Sequence, residues 1–114
     1  MDKEKRKYLR LRENDRITFR EVGGVKNESR LNLDISRGGA RFISDRFIKP
    51  NTVLKMEIAF DGAKKTIHAL AAVKWIKAVF EDESYEVGVE FVDIDEPSKA
   101  FLKEYLNVRS INHP

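Results

Sequence analysis

Apolar and polar residues alternate along most of the chain between residues 17 and 91, which is the period of half-buried β-strands. The pattern predicts six strands, at residues 17–22, 29–36, 40–44, 54–60, 65–80 and 85–91. The fifth is longer than the roughly 3–10 residues of an ordinary strand, so we expect a bend or bulge near Ala71 and Ala72. The pair Asp61-Gly62, which precedes it, is typical of a two-residue hairpin turn.

The period changes to that of an amphipathic helix after Asp95-Glu96-Pro97, where an acidic cap precedes a proline in the first turn. Apolar residues then recur at helical spacing, at Phe101, Leu102, Tyr105 and Leu106, and residues 111–114 are expected to be a frayed end. Six strands with short turns followed by one helix predict a mostly β fold, a six-stranded antiparallel β-barrel with a C-terminal α-helix. We assign the barrel and helix to residues 14–108.

Charge is concentrated at the N-terminus. Residues 1–20 hold eight Lys and Arg against four Asp and Glu, a net charge of +4, whereas the whole chain of 114 residues has +3. Residues 1–13 also lack a clear period, so we expect a flexible basic arm that meets an anionic partner. The chain has no cysteine, no long apolar run and no signal-like N-terminus, which favours a cytoplasmic protein without a membrane span.

Candidate chemistry lies in the second predicted strand. Strand alternation places Asp34 and Ser36 on the face opposite to Ile35, and the pair Gly38-Gly39 follows at once. Glycines allow close approach of the backbone to a ligand. A carboxylate and a hydroxyl beside such a turn suit the donor edge of a guanine, but the same two side chains are also typical of a turn-capping pair.

Two motifs in this order resemble those of the PilZ domain family, the bacterial receptors of cyclic di-GMP. The first is an RxxxR, from Arg6 to Arg10, and the second is a [D/N]xSxxG, from Asp34 to Gly39. The stretches 73–75 (VKW) and 85–91 (YEVGVEF) are also similar to strands of that family. The resemblance covers about residues 5–106 and implies a single-domain cyclic di-GMP receptor with no other cofactor.

The resemblance implies a ligand site made of the two motifs and their neighbours: Lys5, Arg6, Arg10, Asp34, Ser36, Arg37 and Gly39. Arginine forks match guanine O6 and N7 or a phosphate, and a carboxylate accepts from guanine N1–H and N2–H. We expect the missing Cβ of Gly39 to let the backbone approach the base. Lys5, which precedes the first motif, leaves open whether one ligand or a stacked pair binds.

We therefore expect a receptor in which the bound ligand orders the arm and so alters a surface of the protein. A protein partner in trans would recognise this surface, and the output would be control of motility, biofilm formation or polysaccharide synthesis. The alternative is a small β-barrel that binds single-stranded nucleic acid. Against it, the pattern places most aromatic residues, including Phe19, Phe42, Trp75 and Phe91, inward, so we expect no nucleic-acid partner. No activated nucleophile or metal-ligand spacing is present, which argues against an enzyme and a metal site.

Overall fold

The computed structural model of the protein describes residues 9–10, 15–30, 34–60, 62–79 and 83–112, with the backbone alone for residues 9–10 and 108–112. The described chain forms eight strands and one helix. In chain order they are β1 (Leu9–Arg10), β2 (Arg16–Glu21), β3 (Glu28–Arg30), β4 (Asp34–Ile35), β5 (Gly39–Ser44), β6 (Val53–Phe60), β7 (Lys65–Val79), β8 (Ser84–Ile94) and α1 (Glu96–Asn112).

All eight strands belong to one antiparallel sheet with the order β1-β4-β5-β8-β7-β6-β2-β3. β3 and β4 follow each other in the chain but lie near opposite ends of this order. Successive Cα atoms are about 3.8 Å apart, so the link from residue 30 to residue 34 spans at most about 15 Å. The sheet therefore curls until its two ends approach each other, and the predicted mostly β, barrel-like antiparallel fold with a C-terminal helix is confirmed.

The predicted number of six strands is too low for the described chain. The expected strand over residues 29–36 is present as two strands with different partners, because β3 pairs with β2 whereas β4 pairs with β5 and β1. β1 adds the eighth strand at the other side of β4. Hydrophobic alternation predicts which residues are extended, but it does not identify the partner strand, and this is why the division was missed.

An ion-pair network joins the two ends of the curled sheet. The buried carboxylate of Glu28 on β3 accepts hydrogen bonds from Arg46 Nε at 2.9 Å and Nη2 at 2.6 Å, just beyond β5. Arg30 Nη2 lies 2.7 Å from Asp45 Oδ1 and 3.3 Å from Glu28 Oε1. The hydrogen bonds that Arg46 donates to Glu28, together with the negative charge of that carboxylate, raise the pKa of Arg46 above its usual value, despite partial desolvation. These contacts hold the seam where no strand pairing is described.

The core lies inside the curl and follows the predicted alternation. In β6, Leu54, Met56, Ile58 and Phe60 are buried while Lys55 and Glu57 are exposed. The other fully buried large side chains come mainly from the remaining strands: Ile17, Phe19, Ile35, Phe42, Ile48, Ile67 and Leu102.

Helix α1 covers one end of this core. Its first turn is capped as predicted, because Asp95 Oδ1 accepts from Ser98 N–H at 2.7 Å. Leu102 and Leu106 are buried, and Tyr105 packs with its ring centroid 4.6 Å from that of Phe60. The helix extends to Asn112, two residues into the expected frayed end at residues 111–114, and residues 113 and 114 lie outside the described residues. No glycine or proline between Ser98 and Asn112 interrupts it. Among the described helical residues, none belongs to a helix long and apolar enough to cross a bilayer.

The long strand β7 is irregular where a bend was expected. Its register with β8 shifts between Leu70 and Ala71 and again between Val73 and Trp75. Such bulges add a residue on one strand and change the direction in which the following side chains point. The predicted two-residue hairpin before β7 is wrong, because Phe60 pairs with Lys65 and four residues separate the strands. Lys64, the last of the four, has a left-handed φ of 51°.

Candidate functional site

Asp34 lies at the centre of the candidate site, since its strand β4 has a neighbour on each side. Asp34 is directly opposite Arg10 of β1 and directly opposite Arg41 of β5. Its Oδ2 accepts a hydrogen bond from Arg41 Nη2 at 2.9 Å, and both side chains are about a quarter exposed. The register thus brings one residue of each predicted motif, Arg10 and Asp34, to adjacent positions at one end of the sheet.

The turn after β4 is held by Ser36. Its backbone N–H donates to Gly39 O at 2.9 Å, and its Oγ accepts from Gly38 N–H at 3.3 Å. Ser36 therefore caps the turn, as one of the two sequence interpretations proposed, whereas Asp34 does not take part and pairs with Arg41 instead. Arg37, at the tip of the turn, is exposed.

The two glycines of this turn have different surroundings. A Cβ at Gly39 would collide with the carbonyl oxygen of Val89, so the missing side chain lets β5 and β8 approach each other at the start of β5. A Cβ at Gly38 would have no atom within 4 Å. The fold thus requires glycine at position 39 whatever binds nearby, and the open space of the turn is at Gly38.

Gly88 and Trp75, which were not predicted as site residues, lie in line with Arg41 across the sheet. Arg41 pairs with Gly88 of β8, and Gly88 pairs with Trp75 of β7. The Trp75 ring lies directly over Gly88, where a Cβ would overlap its atoms. Arg10, Asp34, Arg41, Gly88 and Trp75 therefore occupy one row of directly opposed positions across five strands, which we call the Asp34 row.

The expectation that Trp75 points inward is wrong, because 36% of the residue is exposed. Alternation from the buried Val73 would place Trp75 inward, but the register shift between the two residues turns it to the outer face. Lys77 Nζ lies 5.4 Å from the centroid of the indole ring. Phe19 and Phe42 are buried as predicted, and their ring centroids are 4.9 Å apart. In the sequence, the one indication that Trp75 points outward was the bulge expected from the unusual length of this strand.

Two of the predicted site residues, Lys5 and Arg6, lie outside the described residues. For Arg10 the structure gives the backbone position alone. Asp34, Ser36, Arg37 and Gly39 lie together on β4, the turn and the start of β5. Within the described stretch from Asp34 to Arg41, two arginines, Arg37 and Arg41, stand against one carboxylate, that of Asp34, so this stretch favours an anionic ligand.

A different groove, of about 230 Å³, lies on the outer face of β6, β7 and β8. Three carboxylates line it, those of Glu57, Asp93 and Asp95, and they outnumber the one lysine, Lys55, beside His68. His68 Nδ1 lies 3.6 Å from Glu57 Oε2, a cross-strand contact between β7 and β6. The negative charge makes this groove unsuited to a phosphate. Within the described ranges, no group of three or more acidic or histidine side chains is placed to hold a metal ion.

Two solved structures have the same fold. MotI/DgrA, the inhibitor of motility of Bacillus subtilis, superposes with a TM-score of 0.76 and 19% identity over 93% of this chain and 51% of that one. MrkH of K. pneumonia, solved in its apo state, superposes with a TM-score of 0.73 and 19% identity over 92% of this chain and 48% of that one. This chain thus spans about half the length of each, and at this identity the likeness shows the fold.

Sequence comparison gives the family. No curated protein matches the chain. The model of the PilZ domain matches residues 4–107, which include both motifs, the whole sheet and most of α1. With nearly the entire described fold inside this match, the chain belongs to the PilZ domain family.

Proposed function

We propose that the protein is a receptor for cyclic di-GMP and that the ligand binds between the N-terminal arm and the outer face of β4 and β5. One observation carries the proposal: Asp34 lies directly between Arg10 and Arg41 and next to the Ser36–Gly39 turn, in a chain of the PilZ family. The protein acts by binding and signalling, and it performs no chemical step on the ligand.

The chemistry of this ligand matches the residues in detail. A carboxylate has about four acceptor sites, so the single bond from Arg41 leaves Asp34 able to accept from N1–H and N2–H of a guanine. Arg41 at 2.9 Å also keeps the carboxylate oriented towards the outer face. Arg6 and Arg10 would bind phosphate or the O6/N7 edge of guanine, with Lys5 and Arg37 adding positive charge.

The exposed ring of Trp75 extends the same surface. Gly88, two positions from Asp34 in the row, leaves room for the indole of Trp75, the third position, to lie against the sheet. A purine held by Asp34 would thus have a flat apolar surface within reach, and stacking on an aromatic ring contributes about 1–3 kcal/mol per base. We assign Trp75 this supporting role beside the motif residues.

Signalling would follow from the position of the arm. Arg6 and Arg10 belong to the arm, which meets the sheet through the short edge strand β1 beside β4. A ligand held by Asp34 and by the arm arginines would therefore order the arm across β4. A partner protein would read the altered surface, with motility, biofilm or polysaccharide control as the output in a bacterial cytoplasm. The name of one structural neighbour, an inhibitor of motility, fits an output of this class.

Calorimetric titration with cyclic di-GMP tests the proposal and gives the stoichiometry, one ligand or a stacked pair. Arg6→Ala, Arg10→Ala and Asp34→Ala should each weaken binding by about 1.5–3 kcal/mol, the range for hydrogen bonds to charged groups. Arg20→Ala on β2 and Asp93→Ala on β8 are matched controls with the same charge changes outside the site, and both should bind like the parent. Parent-like binding by all three site variants would refute the assignment.

Selectivity separates base recognition from simple charge attraction. Adenine has a donor where guanine has O6 and lacks the N2 amine, so cyclic di-AMP should bind far more weakly, as expected when a built polar site loses its partners. An oligonucleotide at the same salt concentration should not displace cyclic di-GMP. Equal affinity for both dinucleotides would mean that charge, and not base recognition, drives binding. Displacement by the oligonucleotide would favour the single-stranded nucleic-acid alternative.

A further inference from the structure

An open cavity of about 500 Å³ lies between the Ser36–Gly39 turn and helix α1. Arg37 and Gly38 line it on the side of the turn, and Lys99 and Leu102 line it on the side of the helix. Ile94, at the end of β8, contributes a further apolar wall. Its volume is within the range of small-molecule sites, about 300–1,000 Å³.

Both sides of this cavity are fixed to the body of the protein. Gly38 O accepts a hydrogen bond from Phe91 N–H at 2.8 Å, which ties the turn to β8. On the other side, the capped first turn of α1 and the buried side chain of Leu102 hold the helix against the core. The cavity is therefore a preformed space between two rigid elements, and a bound molecule would contact both of them.

The charge of the cavity favours an anion. Among the described residues that line it, Arg37 and Lys99 are the ionisable ones, and both are basic. The nearest described carboxylate to Lys99 Nζ is that of Glu96 at 3.8 Å, and these side chains are 62% and 87% exposed. Such an exposed pair is weak, so Lys99 remains available to a stronger partner. Two cations beside the apolar Ile94 and Leu102 suit a molecule with both phosphate and ring surfaces.

We propose that this cavity holds the second half of the cyclic dinucleotide, with one phosphodiester between Arg37 and Lys99. The inference rests on the proposed function: the first guanine binds at Asp34, and Gly38, the open side of the turn, faces the cavity. Lys99 is then a ligand-contacting residue outside both motifs. The bound ligand bridges the turn and α1, which makes the helix the element of the folded domain that senses occupancy.

Calorimetry on Lys99 variants tests the proposal, with Lys103 as the matched control. Lys103 is exposed one turn further along the same helix and does not line the cavity. Lys99→Ala should weaken cyclic di-GMP binding about tenfold, as expected for one charge-assisted hydrogen bond. Lys99→Glu should weaken it further, whereas Lys103→Ala and Lys103→Glu should stay within about twofold of the parent.

Hydrogen exchange supplies the second measurement. Cyclic di-GMP should slow amide exchange in residues 98–106 of the parent and of Lys103→Glu, but not of Lys99→Glu at matched occupancy. Equal losses of affinity for the two Glu variants would mean diffuse attraction and would overturn the proposal. Parent-like binding by Lys99→Ala, with Asp34→Ala still defective, would overturn it while leaving the receptor function intact. A parent protein that does not bind at all would refute the receptor function itself.

Discussion

Gly88→Ala should disturb the Asp34 row through the single tryptophan of the chain. The indole of Trp75 lies over Gly88, and its ring atoms occupy the space that a Cβ would need. The backbone of β8 cannot withdraw, because Gly88 is paired with both Arg41 and Trp75 in the middle of the sheet. The ring must therefore swing away from the sheet, towards solvent.

The burial of Trp75 sets the size of the effect. At 36% exposure, about two thirds of the residue is covered. A tryptophan buries up to about 150–250 Å² in full, so about 100–160 Å² is covered here. A displaced ring that loses half of this contact would destabilise the fold by about 1–2 kcal/mol at 25 cal/mol per Å².

Urea denaturation followed by far-ultraviolet circular dichroism measures this loss, and the emission of Trp75 should shift to longer wavelength in Gly88→Ala. The same substitution in a Trp75→Ala background should cost little, since the atoms that collide are gone, and this double-mutant cycle isolates the contact. An equal loss of stability in both backgrounds would show that the ring contact is not the cause and that Gly88 is required for a backbone reason.

Three further predictions follow from other contacts. Glu28→Ala should lower the free energy of unfolding by about 1–3 kcal/mol, because Arg30 and Arg46 lose a buried acceptor. In the same urea titration, the control Asp45→Ala should lower it by less than about 1 kcal/mol, because the Asp45 carboxylate is 82% exposed. Hydrogen bonds from Ser98 lower the pKa of Asp95, so the stabilisation by this cap is present above pH ~4 and is lost as the pH falls through the lowered pKa. Asp95→Ala should therefore reduce the urea midpoint at pH 6, but not at a pH where Asp95 is protonated in both the folded and the unfolded protein. Cyclic di-GMP should slow amide exchange in residues 5–12 more than in the core strand 85–91, and Asp34→Ala should remove this protection; equal protection of the arm without ligand would contradict ordering on binding.

The elements that sequence reasoning predicted well are those specified by local pattern. Alternation in β6 separates Leu54 and Met56 from Lys55 and Glu57, and the structure buries the first pair and exposes the second. The cap at Asp95 and the apolar positions of α1 are also local signals, and they too were confirmed. In each case one face of a single strand or helix packs against the core, so the residues of that element alone are enough to predict which of its side chains are buried.

The features that were missed depend on pairing between distant segments. Arg41 has no motif around it, and its position beside Asp34 follows from the register of β4 against β5. The outward direction of Trp75 depends on a bulge whose place in β7 is set by the match to β8. The same non-local pairing joins Arg10 to Asp34, although 24 positions separate them in the sequence. Register, rather than residue type, therefore decides most of the candidate site.

The place of β1 in the sheet bears on how a ligand would act. β1 is a strand of two residues at the outer side of β4, so its described contacts with the sheet are the pairs of Leu9 and Arg10 with Ile35 and Asp34. Short edge strands open at low free energy compared with central strands such as β7 and β8. A ligand that contacts Asp34 and the arm arginines binds the paired arrangement better than the open one, and it shifts the population by that difference in affinity. Under the proposed function, the low stability of the β1 pairing in the free protein determines how far a ligand can shift this population. Variants that strengthen the pairing of β1 with β4 should then show the signalling state without ligand.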